Sequence, residues 1–185
     1  QRDGDVINTD LNRKQGDIER YNTRLTNRVN VSDDLHVDLT LRASHLQTDI
    51  AAGQVVKDPT GIWSGLGVLT TTEFETKAND SGPTEQDVKG ASVAITYRSS
   101  RFDVRTITSW IKEDFTRTTD FDGTNLALFQ SRNEQESEAW SQEINISGDA
   151  FNSRLQWITG LFGYSEEARL YSRNRGGQAL DDLDA

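Results

Sequence analysis

Between Leu25 and Ala43 the apolar residues Leu25, Val29, Val31, Leu35, Val37, Leu39, Leu41 and Ala43 all fall at odd positions, while Thr26, Arg28, Asn30, His36, Asp38, Thr40 and Arg42 fill the even ones. Successive side chains leave a pleated strand on opposite sides, so strict alternation over this distance predicts β-strands with one apolar and one wet face. Their length narrows the choice further. A strand of a soluble domain averages about 5–6 residues, whereas a strand crossing a bilayer needs roughly 9–11.

The same organisation recurs three times, as a strand, a short turn and a strand, followed by a long polar connection. The first hairpin is expected over about 20–48, turning at Ser32-Asp33-Asp34, whose side chains favour turns by bonding their own backbone. Keeping the odd residues on one face sets Val31 opposite Leu35 and predicts that Arg28 and Asp38 lie together on the wet face. The second hairpin is expected over about 89–115 around Ser99-Ser100-Arg101, and the third over about 134–167 around Gly148 to Ser153. Residues 49–88, 116–133 and 168–185, polar and glycine-containing, read as long connections. Long structureless connections do not suit a compact soluble domain, but short turns at one end and long loops at the other are the habit of outer-membrane barrels.

Composition becomes intelligible on that reading. Only 34% of the 185 residues are hydrophobic and the mean hydropathy is −0.70, poor for a packed core. A barrel with a watery interior keeps half of every strand and all of its long loops polar. The net charge of −10 and the lack of a Lys/Arg-rich block argue against a nucleic-acid partner. No cysteine is present for a disulfide, a thiolate metal site or a cysteine nucleophile. No run reaches the roughly 18 apolar residues of a transmembrane helix, which does not bear on strands. With no methionine, even at position 1, and no signal peptide at its start, the chain is expected to be a fragment or processed piece of something longer.

The stretch Glu138-Ala139-Trp140-Ser141-Gln142-Glu143-Ile144-Asn145-Ile146-Ser147-Gly148, followed by Arg154-Leu155-Gln156-Trp157-Ile158-Thr159-Gly160-Leu161-Phe162-Gly163-Tyr164, resembles a barrel hairpin of the TonB-dependent outer-membrane receptors. The likeness lies in Ser141, Gln142, Glu143, Leu155, Trp157, Gly160, Phe162 and Tyr164. Phe102 to Trp110 and the Ser-Asp-Asp turn are similar to other strands and turns of that family, with Val31 standing where proline is common. The resemblance covers about 19–48 and 89–167. Nothing in the chain resembles the family's plug domain, its TonB-contacting box or its closing C-terminal strand.

The resemblance implies an all-β fold, a segment of a transmembrane antiparallel β-barrel whose family norm is 22 strands. It implies a bacterial outer-membrane location, with lipid around the barrel and TonB as a partner through parts of the full protein not represented here. It also implies binding and import of a scarce ligand, usually a ferric siderophore, less often cobalamin, haem, a saccharide or an aromatic compound, with no enzymatic step. In that topology the long loops face outside. Trp63, Phe74, Phe121, Phe129 and Tyr171 are then candidates to stack on a ligand or to pack loop on loop, and Arg28 and Asp38 line the lumen.

Other motifs point less far. Asp120-Phe121-Asp122-Gly123-Thr124-Asn125 is reminiscent of a calcium loop, but Thr118 stands where the first acid belongs and Phe129 where the closing Glu belongs, so an acidic turn is expected. His36 and His45 have no metal-ligand spacing, and no metal or cofactor is expected. Trp110, Trp140, Trp157 and Tyr164 suit an interfacial girdle. Two rival readings stay open. A soluble β-sandwich binding module would cover the odd face with a second sheet. A secreted hydrolase would use the cluster of Glu134, Glu136, Glu138, Glu143, Glu166 and Glu167, two facing carboxylates being the usual machinery.

Overall fold

The computed structural model describes residues 5–49, 53–79 and 82–176. In chain order these form β1 (Val6–Asn8), β2 (Arg13–Gln15), β3 (Ile18–Asn30), β4 (Leu35–Thr48), a single helical turn α1 (Ile62–Gly65), β5 (Glu75–Thr76), β6 (Thr84–Arg98), β7 (Phe102–Asp120), β8 (Phe129–Ala150) and β9 (Leu155–Gly176). Six of the strands make one antiparallel sheet in the order β3-β4-β6-β7-β8-β9. The three shortest make a separate sheet, β2-β1-β5, in which β1 and β5 run parallel. Among the described residues no helix is long and apolar enough to cross a membrane, which says nothing of strands.

The register follows the alternation. Arg28 pairs with Asp38, Val29 with Val37 and Leu25 with Leu41, so the odd residues of β3 and β4 share a face. Pairing carries that face across the sheet through rows such as Val29, Val37, Ile95, Thr106, Ile144 and Leu161. Leu25, Leu39, Leu41, Val93, Ile95, Trp140, Ile144 and Leu161 lie exposed along it. Among the described residues no second sheet covers them, the arrangement that a sandwich requires.

Polarity on this face changes abruptly. The row Leu25, Leu41, Ala91, Trp110, Trp140 and Ser165 is followed, one step along each strand, by Thr23, Ala43, Lys89, Lys112, Glu138 and Glu167. The two indoles at the boundary face each other, ring centroids 6.3 Å apart, and the Trp110 Nε1–H donates to Glu138 at 2.8 Å. Each ring sits with the apolar residues while the indole N–H of Trp110 reaches the charged row. Beyond them Tyr21 stacks on His45, whose Nδ1 lies 3.0 Å from Asp87.

The strands run past the ends expected from sequence. β7 continues to Asp120, β8 starts at Phe129 and β9 continues to Gly176, so the connection expected at 116–133 shrinks to 121–128 and much of 168–185 is strand. Residues 177–185 lie outside the described residues. The reason is that Thr116, Arg117, Thr118 and Thr119, opposite Glu134, Asn133, Arg132 and Ser131, are polar on both faces. Backbone pairing needs no apolar contrast, and threonine suits a pleated strand, but a pattern of alternation vanishes there. In the connection expected at 49–88 the structure sets α1, β5 and the first residues of β6; residues 50–52 and 80–81 lie outside the described residues.

The turns themselves are tight. Ser99 closes the second, its Oγ accepting from the amides of Arg101 and Phe102 at 3.2 and 3.1 Å. The third is narrower than expected, with Ala150 paired to Leu155 and three successive residues, Phe151, Asn152 and Ser153, at φ 54, 55 and 61°. These turns are not level across the sheet. The row that ends β4 at Leu35 reaches β8 and β9 at Ile146 and Thr159, yet that hairpin goes on four residues further, to Ala150 and Leu155.

Candidate functional site

The even face of β3 and β4 is a wet wall, and its continuation across the sheet stays largely polar, with Ile107 and Ile111 on β7 and Ile158 and Phe162 on β9 as apolar exceptions. Arg28 and Asp38 meet as the alternation predicts, with Nε donating to Oδ1 at 2.6 Å and Nη2 to Oδ2 at 2.9 Å. The Arg28 side chain is 59% exposed, so water and salt screen this two-pronged pair, which orders the wall more than it stabilises the fold. His36 sits in the next row with its Nε2 4.0 Å from Asp38. One row of the wall, Thr26, Thr40, Ser92, Ser109, Ser141 and Tyr164, carries a hydroxyl on every strand. Sequence inspection of single strands misses it, because the row exists only once the register of all six is known.

Over the far ends of the strands lies a cap built from three stretches distant in sequence. Its centre is polar. Asn8, Gln15, Thr76 and Thr124 are fully buried, with Val68 and Ala78 the buried apolar residues beside them. Asn8 Nδ2 donates to the carbonyl of Ala78 at 2.8 Å, and its Oδ1 accepts from the amides of Asp10 and Leu11 at 3.1 and 2.9 Å. The 53–79 stretch is tied to the 121–128 loop by Asn79 N donating to the Thr124 carbonyl (3.0 Å) and by Asn125, which bonds both Gly67 and Leu69. Gln130 Nε2 donates to Asn79 Oδ1 at 2.6 Å.

At the base of that loop Asp120 and Asp122 form the expected acidic turn. Asp120 Oδ1 accepts from the amides of Asp122 and Gly123 at 3.1 and 3.0 Å; Asp122 accepts from Thr124 N at 3.0 Å, from the Thr124 hydroxyl and from Phe129 N at 2.8 Å. Asp120 is 3% exposed, and its Oδ2 finds no donor. Burial, with the Asp122 carboxylate adding to it against the pull of the Gly123 amide, raises its pKa to about 6. The sign follows. An acid whose folded pKa exceeds its ordinary value near 3.8 holds the closed turn best below that value, and loses that preference as pH rises through 6, on the order of 1–3 kcal/mol in all. Proteolytic nicking of 121–128, normalised to an unstructured peptide, is therefore expected to be faster at pH 7.5 than at pH 5. In Asp120→Asn, which keeps the accepting oxygen, the difference should vanish; a variant that retains it would place the titration elsewhere.

The five aromatic candidates part company. Phe121 and Phe129 come together, rings 5.3 Å apart at the base of the loop, with Phe129 on the wet side by the parity of β8. Trp63, 40% exposed, sits in α1, and Phe74 is 67% exposed just before β5. Tyr171 lies on strand β9, not in a loop. It belongs to the opposite face, beneath the Arg173 guanidinium at 5.7 Å, and lines a cleft of about 610 Å³ with Arg132, Glu134 and Arg175. Of the glutamates, Glu134, Glu136, Glu138 and Glu167 share that face, whereas Glu143 and Glu166 are on the wet wall. Among the described residues no three His, Asp or Glu side chains converge on a possible metal position.

Six long antiparallel strands with an uncovered apolar face, a wet face and staggered turns define the class, a two-faced wall sheet. Such a wall is similar to part of the ferric yersiniabactin uptake receptor FyuA from Yersinia pestis, whose crystal structure this chain matches over 95% of its own length with a TM-score of 0.72. Identity is 12% and the chain covers 26% of FyuA, so the likeness is one of fold. No protein-family model matches the sequence, and no curated protein does.

Proposed function

We propose that the chain is part of the barrel wall of a TonB-dependent outer-membrane receptor, which captures a scarce ligand, a ferric siderophore above all, outside the cell and imports it. The observation that carries this is the change, within one row, from apolar residues and indoles to a row that holds Lys89, Lys112, Glu138 and Glu167 on β6 to β9. In β4 the apolar band runs from Leu35 to Ala43. At about 3.3 Å per residue and a tilt of 35–45°, those nine residues span roughly 21–24 Å, close to the ~25 Å band of membrane barrels.

The staggered turns support the same tilt. If all three lie at one level, four residues of stagger over four strand spacings of about 4.8 Å slant the strands by about 35°, within the range that closed barrels show. The exposed edges of β3 and β9 need partners, because unpaired backbone is not tolerated in lipid. In this reading Arg28 and Asp38 line the lumen, the cap faces outside, and the coupling to TonB belongs to the rest of the receptor. No bond is made or broken, so the protein is a transporter and not an enzyme. The fold likeness to FyuA, named for uptake of ferric yersiniabactin, supports a ferric complex as the ligand.

The test uses the full-length protein. It should fractionate with the outer membrane and migrate faster in gels before boiling than after. Uptake of one labelled complex from a panel of ferric siderophores should fail when the gene is deleted and when the inner-membrane proton gradient is collapsed. A protein soluble without detergent would sink the proposal.

A further inference from the structure

Arg24 and Arg42 are direct partners across β3 and β4, both on the wet wall. Like charges placed directly opposite repel, and their proximity demands a counter-charge. The Arg28–Asp38 pair shows how this wall satisfies a guanidinium when a carboxylate is supplied, but among the described residues neither Arg24 nor Arg42 has such a partner.

The surroundings form a place for one. A cavity of about 390 Å³ opens beside the two arginines, floored by Thr40, Gly90, Ser92 and Ser109. Gly90 is needed there. A Cβ at that position would stand 2.7 Å from Arg42 Nε and 3.1 Å from the Trp110 carbonyl, so the absent side chain is what lets Arg42 lie flat against the sheet. The hydroxyl row runs directly beneath, able to donate to oxygens that the guanidinium forks leave free. At the far end Glu166, in the same row as the arginines but four strands away, accepts from the Tyr164 hydroxyl at 2.6 Å. The wall is thus positive at β3 and β4 and negative at β9. Two planar forks over a floor of small and hydroxylated residues match a carboxylate or a phosphate.

We infer that Arg24 and Arg42 form an oxyanion site on the wet wall, which takes a carboxylate or phosphate group of a small solute in the lumen. The inference rests on the proposed reading of this wall as the lining of a transport lumen, and it adds that the solute carries an anionic oxygen group.

The probe is citrate, titrated calorimetrically at low salt into the full-length protein purified in detergent. Wild type should bind it, and Arg24→Gln/Arg42→Gln should bind about tenfold or more weakly, with a shallower dependence on salt. The control Lys89→Gln/Lys112→Gln removes the same charge from the opposite face one residue along β6 and β7, and should bind as wild type does. Equal weakening in that control would reduce the effect to net charge and overturn the site. Absence of citrate binding by wild type overturns it too. If that absence comes with a lower melting temperature of the double Gln variant, the pair answers to an internal carboxylate instead. All arms are run on protein that shows heat-modifiable mobility. Failure of that mobility strikes the receptor reading, whereas unchanged citrate affinity in an assembled receptor strikes this inference alone.

Discussion

Replacing Leu39 and Val93 together by arginine is expected to abolish assembly of the full-length protein in the outer membrane. The two residues are direct partners near the middle of the apolar band. Each arginine at the centre of a lipid-facing band costs about 2–4 kcal/mol, and two together rival the stability of a typical domain. The matched control is His36→Arg/Thr96→Arg, which adds the same charges to the same two strands as direct partners on the wet face. That variant should keep the heat-modifiable band and the membrane fraction. Equal loss in both would mean that strand pairing, not the outward face, is what the charges disturb, and equal tolerance would remove the case for lipid around this sheet.

The second large effect is expected at Gly123, where the cap is sewn together. Its φ is +62°, a conformation that costs an L-residue about 1 kcal/mol or more, and a Cβ there would lie 2.1 Å from the carbonyl oxygen of Gly53. Backbone on both sides leaves nothing flexible to give way. Gly123→Ala should therefore detach the 121–128 loop from the 53–79 stretch, losing the bonds of Asn79 and Asn125 together. Hydrogen exchange across 53–79 and 121–128 should rise by an order of magnitude or more, while the heat-modifiable mobility of the full-length protein stays as it was. Protection unchanged in 53–79 would show that the cap does not depend on this contact.

What the sequence disclosed, and what it hid, divides along a physical line. Alternation is local, and a turn such as Ser32-Asp33-Asp34 is local too, so the register that joins Arg28 to Asp38 is legible in the order of residues alone. Indoles at the edge of the band, Trp110 and Trp140, stand out for the same reason, at the end of an alternating run. The outer halves of β7, β8 and β9 are hidden because both faces are wet there, which leaves Phe129 and Tyr171 looking like loop residues. The cap is hidden more deeply. Its strands are two or three residues long, and β1 meets β5 across most of the first half of the chain. No periodicity can reveal a parallel pair of that size, and Asn8, Gln15 and Thr76 are residue types ordinarily expected outside a buried centre.

That polar centre has a thermal consequence. Opening the cap uncovers amides, hydroxyls and carboxamides with little hydrocarbon, and the heat-capacity change of a transition grows with the apolar area it wets and shrinks with the polar area. The equilibrium between closed and open caps should then follow a nearly straight van 't Hoff line, without the curvature that lets greasy interfaces loosen in the cold. A cap closed by such bonds loosens no more readily in the cold than in the warm, and wets little hydrocarbon where it parts.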